Sequence, residues 1–243
     1  MFLGGLVNHS SFERVKSEIQ KHCLDYTNTY HVIWPDEVGS ELHSRKNALI
    51  YRLTSVQWHL SQLSTIENQI KSEVMALGAH KDKVDVALKY HQLSSFYFDD
   101  IVFNIISLFD YLAALLSLIF TNNKSKRFKW NQLIKSFNNT DYDFSITKVL
   151  LLEKHKECIN KLAAYRSGVY HETKDSSSIV LGDIPKILMP AKAQKALPFY
   201  EKNETIGLND GAKTLAEKTL NVLIEIINCC MQEKHNKNLK RDC

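Results

Sequence analysis

The residues best suited to chemistry lie together in a short stretch, Leu162–His171. An apolar helical pattern reaches Arg166, and Gly168 then offers a point at which the backbone can leave the helix. In an unbroken helix Arg166 and His171 would point about 140° away from each other, because they are five residues apart. We therefore expect a break at Gly168 that brings a guanidinium and an imidazole into one polar site.

Arg166 is expected on a buried face of its helix, because it continues an apolar stripe. The stripe consists of Leu152, Ile159 and Leu162. A charged group on a buried face needs a partner or a ligand. Asp110 or Glu172 could be that partner, in which case Arg166 would only seal the helix end and His171 would be an ordinary loop histidine.

The same Arg-x4–6-His spacing occurs a second time, at Arg52 and His59. Chance alone gives about 0.7 matches in a chain with this many histidines, so the bare pattern is not evidence of a site. Arg52 and His59 lie in a polar helical pattern, where two turns separate them by about 10 Å. We expect both to be surface residues.

The elements that must position these residues are long helices. Between Ser40 and Ser167 the only glycine or proline is Gly78, which favours helices over a meander of strands. The 243 residues therefore predict one all-α domain, a helical bundle with long antiparallel helices. It would comprise an N-terminal helical extension (1–78), a core (80–235) and a flexible tail (236–243), with one small β-hairpin between residues 176 and 190.

The helix expected over 83–120 carries a narrow polar stripe through an apolar surface. The stripe consists of Asp100, Asn104, Ser107 and Tyr111, with Asp110 beside it. We expect this stripe to face and orient Arg166. The polar residues also argue against a membrane span over 101–120, because an Asp in mid-membrane costs roughly 2.5 to 3.5 kcal/mol. With no signal-peptide pattern at the start, a cytoplasmic protein is the expectation.

Composition limits the classes of function that fit this sequence. The net charge of +4 is too small to indicate a nucleic-acid partner by itself. The five cysteines contain no CxxC pair, so neither a zinc site nor a disulfide framework is indicated. We expect no metal and no cofactor. A metal-dependent hydrolase using Asp99 and Asp100 is the weakest alternative, because adjacent helical carboxylates lie about 100° apart.

A basic segment follows the central helix, with aromatic residues among its lysines. Its candidate RNA-binding residues are Lys124, Lys126, Arg127, Lys129 and Trp130. Basic side chains can contact phosphates while aromatic rings stack on unpaired bases. We favour the other interpretation, a solvated loop followed by a short helix whose aromatic residues dock on the core.

Two segments together resemble the HEPN superfamily, whose signature is Arg-x4–6-His. They are Ser107–Ala114 in the central helix and Tyr165–His171 at the end of its neighbour. The long polar helix upstream and the acidic start of the central helix most resemble those of a bacterial standalone branch of the superfamily. The resemblance covers roughly residues 80 to 235. It implies a helical bundle that forms a homodimer in which two motifs face each other.

Many members of this superfamily are metal-independent endoribonucleases that act as toxins or in defence against phage. The resemblance implies that His171 transfers the proton of the 2′-hydroxyl or the 5′-oxygen and that Arg166 holds the scissile phosphate. The product would carry a 2′,3′-cyclic phosphate. Ser167, Tyr170, Asp110 and Asn104 would support the site. RNA, a second copy and an antitoxin or defence-system protein are the expected partners.

One position departs from the family pattern. The residue after the arginine is commonly Asn, Asp or His in active members, and here it is Ser167, which cannot act as a base near neutral pH. The alternative function is therefore a non-catalytic HEPN-like module that binds RNA, a nucleotide or a protein partner.

Overall fold

The protein is an all-α helical bundle with one small β-hairpin, the fold class that the sequence predicts. The computed structural model describes residues 9–30, 36–77, 80–121, 123–139, 144–171, 177–197, 199–200 and 205–239. In chain order its elements are α1 (His9–Tyr30), α2 (Asp36–Ala76), α3 (His80–Thr121), α4 (Trp130–Asn139), α5 (Ser145–Lys154), a π-helical turn (His155–Ile159), α6 (Asn160–His171), β1 (Ile179–Val180), β2 (Lys186–Ile187), α7 (Ala191–Ala196) and α8 (Leu208–Leu239). The hairpin is antiparallel, with Ile179 opposite Ile187.

The helices α2 and α3, of 41 and 42 residues, form the central packed pair. They run in opposite directions, because Arg45 meets Ala114 whereas the later Arg52 meets the earlier Asn104. The apolar stripe predicted for α2 is buried throughout, at Leu49, Leu53, Val56, Leu60, Leu63 and Ile70. Its seven-residue spacings place these side chains on one side of the helix, against α3 and α1.

The second half of α3 lies inside the bundle. One segment, Lys83–Thr121, is long and apolar enough to cross a membrane, and its most apolar window has a mean hydropathy of 2.0. However, 78% of that window is buried within the fold. The helix also contacts α2, α4, α6 and α8, as expected for a helix that packs on several sides.

A π-helical turn joins α5 to α6 and changes the phase of the helix. Such a turn inserts an extra residue, so side chains before it are rotated relative to those after it. Ile159 and Leu162 are buried, whereas Leu152 is 37% exposed. The predicted stripe from Leu152 to Arg166 is therefore wrong at its first member, because no single helical phase connects the two ends.

The predicted helix break at Gly168 is also wrong. The helix α6 continues through Gly168 to His171. An added Cβ at Gly168 would meet no atom within 4 Å, so neither space nor backbone shape requires a glycine there. The positions of Arg166 and His171 thus lie about 140° apart around one continuous helix axis.

The last helix is longer than expected and closes the bundle. Its carboxylate Glu233 is buried and accepts hydrogen bonds from the backbone N–H groups of Ile146 and Thr147 at the start of α5. These N–H groups have no partner inside their own helix, so the contact caps α5. The helix continues to Leu239, beyond the end near Glu233 that the sequence predicts, and residues 240–243 lie outside the described residues.

Candidate functional site

Arg166 lies on the inner side of α6, as predicted. Its guanidinium carbon is 4.5 Å from the centre of the Phe103 ring on α3, and the side chain is half-buried. A guanidinium over an aromatic face is attracted by the negative face of the ring. The ring thus positions a cation at the edge of the central helix.

The other residues predicted beside Arg166 are less completely placed. Ser167 is exposed on α6. The backbones of Tyr170 and His171 form the last turn of the helix, while their side chains lie outside the described residues, as does Glu172. Tyr165, one position before the arginine, is buried.

The polar stripe of α3 meets α2, although we predicted that it would face Arg166. Asn104 accepts a 3.0 Å hydrogen bond from Nη1 of Arg52, and its amide nitrogen donates to the backbone oxygen of Asp100. Asn104 is only 5% exposed. It therefore supports Arg52, and the prediction that Arg52 is merely a surface residue is wrong.

His59 is also held at this helix pair. Its Nδ1 is 2.7 Å from the backbone oxygen of Ser55, and its Nε2 is 3.4 Å from Oδ2 of Asp100. A carbonyl oxygen only accepts, so Nδ1 carries a proton and Nε2 is the nitrogen available to exchange one. The His59 side chain is 13% exposed, so the surface prediction is wrong here too.

Aromatic rings surround these polar groups. The Arg52 guanidinium lies 5.4 Å from the Tyr111 ring centre and 5.8 Å from that of Tyr51. Trp58 and Tyr97 lie 4.8 Å and 6.0 Å from the His59 ring. Tyr51 and Trp58 are exposed, at 69% and 52%, so part of this aromatic surface faces solvent.

Asp110 has a structural role that the sequence did not reveal. Its Oδ1 accepts a 2.9 Å hydrogen bond from the backbone N–H of Trp130 and so caps α4. The Trp130 side chain is 3% exposed, packs on Phe109 and donates from Nε1 to Nδ1 of His155. Its ring docks on the core, as the favoured interpretation of this segment predicts, and is not available to stack on a base. Burial lowers the pKa of His155 below its ordinary value.

The basic loop, residues 123–129, is held on its inner side by Arg45, which is 3% exposed. The guanidinium donates to the backbone oxygens of Lys124 and Lys126 at 2.7 and 2.8 Å, and to Glu41 at 2.7 Å. Because these carbonyls point inward, the loop backbone is held against α2 and α3. The side chains of the predicted RNA-binding residues Lys124, Lys126, Arg127 and Lys129 are exposed.

Glu41 links this buried arginine to the surface. It accepts from both Arg45 and Arg127, each at 2.7 Å. Burial by itself would raise the pKa of Glu41, but the hydrogen bonds and positive charges of the two arginines outweigh it and lower the pKa. Arg127 is therefore partly neutralised, while Lys126 and Lys129 keep the loop cationic.

Among the described residues, no group of three or more His, Cys, Asp and Glu side chains comes together as a metal cluster. A cavity of about 580 Å³ lies between α2, the hairpin and the start of α8, and its lining includes Leu63, Ile66 and Leu208. Neither Arg166 nor the pair of Arg52 and His59 lines it.

Comparisons with protein-family models, with curated proteins and with solved structures gave no significant match. The HEPN resemblance therefore stays a prediction that rests on this chain's own residues. The sequence signal for Arg52 and His59 was present as the second Arg-x4–6-His match. The sequence does not show which residues of α3 face Arg52 and His59, because only the packing of the two long helices identifies them.

Proposed function

We propose that the protein is a metal-independent endoribonuclease of the HEPN type, acting in the cytoplasm as a toxin or antiphage effector. The observation that carries this proposal is the position of Arg166. Its guanidinium is half-buried on the Phe103 ring of α3. A guanidinium suits a phosphate because its planar fork of N–H groups matches two phosphate oxygens.

The chemistry would be transfer of the phosphoryl group within the RNA strand. The 2′-oxygen attacks phosphorus as the bond to the 5′-oxygen breaks, which leaves a 2′,3′-cyclic phosphate and a 5′-hydroxyl. His171 would accept the 2′-hydroxyl proton, and Arg166 would stabilise the charge that develops on the phosphate oxygens. None of these steps requires a metal ion.

The helical geometry supports a homodimer. Because α6 is continuous, the positions of Arg166 and His171 face different directions on one chain. We propose that a second copy places its own motif opposite the first, so that the arginine and histidine of one site come from two chains.

The basic loop would guide the RNA to this site. Asp110, two turns after Phe103 on α3, fixes the start of α4. One turn later on α3, Ala114 accepts a hydrogen bond from Arg45, which anchors the loop. The loop that carries the exposed Lys126 and Lys129 is thus anchored to α3, the helix that Arg166 also contacts. Lysines in this position attract the phosphate backbone without reading sequence.

The test is cleavage of total RNA by purified protein in the presence of EDTA. Wild-type cleavage is expected to survive the chelator and to leave cyclic phosphate ends detectable by mass spectrometry. Arg166→Ala and His171→Ala should each slow it by about a hundredfold or more. The matched controls Arg14→Ala and His235→Ala change exposed residues and should cleave normally.

Two results would contradict the proposal. Equal cleavage by the Arg166→Ala and His171→Ala variants would show that the motif is not the site. Retention of RNA by the wild type without any cleavage would instead favour the non-catalytic RNA-binding module, for which Ser167 is the sequence argument.

A further inference from the structure

Arg52 and His59 contact α3 at two positions that lie one helical turn apart. Seven residues separate them on α2, a rise of about 10 Å. On α3, however, they contact Asn104 and Asp100, which are four residues apart, a rise of roughly 6 Å. A phosphate group that bridged the two side chains would accept a hydrogen bond of about 3 Å from each.

Arg52 is a partly buried cation in need of an anion. In the part of the chain that the structure describes, no carboxylate forms an ion pair with it, and its neutral contact is the Asn104 side-chain oxygen. Its ring contacts with Tyr51 and Tyr111 fix the guanidinium without neutralising it. Most of its five N–H donors therefore remain available to a ligand. A partly buried charge without a counter-ion is costly, and a bound phosphate would remove that cost.

His59 has the contacts of a proton donor. The Ser55 carbonyl fixes the ring through Nδ1, which leaves Nε2, 3.4 Å from Oδ2 of Asp100, as the nitrogen from which a proton can be transferred. Asp100 and Tyr97 of α3 are the titratable groups placed against the ring, with Arg52 two turns away on α2. A donor beside an arginine without an acid partner is the combination that protonation of a phosphate leaving group requires.

The position of Arg52 links it to the site of the proposed function. Arg166 contacts Phe103 from α6, and Arg52 contacts the next residue, Asn104, from α2. The two guanidiniums therefore reach neighbouring positions of one helix from its two sides. A single RNA strand lying along α3 would meet both.

We propose that Arg52 and His59 form a phosphodiester site in which His59 is the general acid of RNA cleavage. This rests on the proposed ribonuclease function. As the 2′-oxygen bonds to phosphorus and the bond to the 5′-oxygen breaks, the Nε2 proton of His59 moves to that 5′-oxygen. His59 is left neutral and regains a proton from water, while Arg52 holds the non-bridging oxygens throughout.

The experiment uses an oligonucleotide with the linkage that the wild-type protein cuts, and the same oligonucleotide with sulfur in place of the 5′-bridging oxygen. A thiolate leaves without protonation, so it does not need a general acid. We expect His59→Gln to cut the normal strand at least a hundredfold more slowly and the sulfur strand within about tenfold of wild type. His171→Ala, which lacks the base, should be slow on both.

Further variants separate this role from a structural one. Asp100→Asn nearly keeps the side-chain volume. Like His59→Gln, it should lower the cleavage rate of the normal strand, and the rate should recover on the sulfur strand. Arg52→Ala should bind the RNA strand more weakly, as measured by fluorescence anisotropy. His43→Ala changes an exposed histidine of α2 and should match the wild type in every assay.

The possible failures can be told apart. Wild-type rates for His59→Gln on the normal strand, or equal losses on both strands, overturn the general-acid role while leaving the ribonuclease intact. If the wild-type protein cuts neither strand, the proposed function fails, and the assignment of His59 fails with it.

Discussion

Replacing Arg45 with methionine tests how the basic loop is held. Methionine keeps most of the aliphatic volume of the buried side chain but removes every N–H donor. The change removes one hydrogen-bond donor from each of the backbone oxygens of Ala114, Lys124 and Lys126. It also removes the buried partner of Glu41.

The expected cost follows from that geometry. Removing one partner of a buried ion pair costs about 3 to 5 kcal/mol, because the other partner and the buried carbonyls lose their compensation. For a chain of this size each kcal/mol lowers the melting temperature by about 2 to 4 °C, so we expect a decrease of roughly 6 to 20 °C. Glu41 adds a pH dependence. Its lowered pKa stabilises the fold fully above the ordinary value of 4.5, and this contribution is lost as pH falls through the lower folded-state value.

The assay is unfolding by heat and by urea, both monitored by circular dichroism, with limited trypsin digestion alongside. Arg127→Met is the matched control, because Arg127 bonds the same Glu41 but is 61% exposed. An exposed pair contributes at most about 1 kcal/mol. The Arg45 variant should also be cut faster in the loop that contains Lys126 and Lys129. Equal stability losses in the two variants, or a loss below about 1 kcal/mol for Arg45→Met, would refute the reasoning.

Two further predictions concern acid stability and assembly. Burial lowers the pKa of His155 below 6.5, so the unfolded chain binds more protons than the folded one and stability should decline as pH falls below about 6.5, levelling off below the folded-state pKa. Urea midpoints between pH 7.5 and 5 should show this decline in the wild type and less of it in His155→Gln; identical slopes would contradict the assignment. Light scattering at micromolar concentration should give a dimer, and a strict monomer would remove the composite site of Arg166 and His171.

The fold class was decided by local sequence. Few glycines and prolines, together with apolar residues at helical spacing, predict α2 and α3 almost to their observed ends, because helix formation depends on contacts within a few residues. The hairpin was also predicted from a local pattern, two short apolar runs at Ile179–Leu181 and Ile187–Met189. At Gly168 local reasoning failed, since a glycine permits a break without requiring one and α6 continues through it.

The arrangement of the polar groups was decided by tertiary packing. The spacing of Arg52 and His59 gave the same motif as Arg166 and His171, but spacing on one helix says nothing about what the neighbouring helix presents. The antiparallel pairing of α2 and α3 places Asn104 and Asp100 opposite them, and the π-helical turn before α6 sets which side of that helix meets Phe103. Those relations join residues about forty positions apart or more, so they depend on register between helices and not on any local pattern.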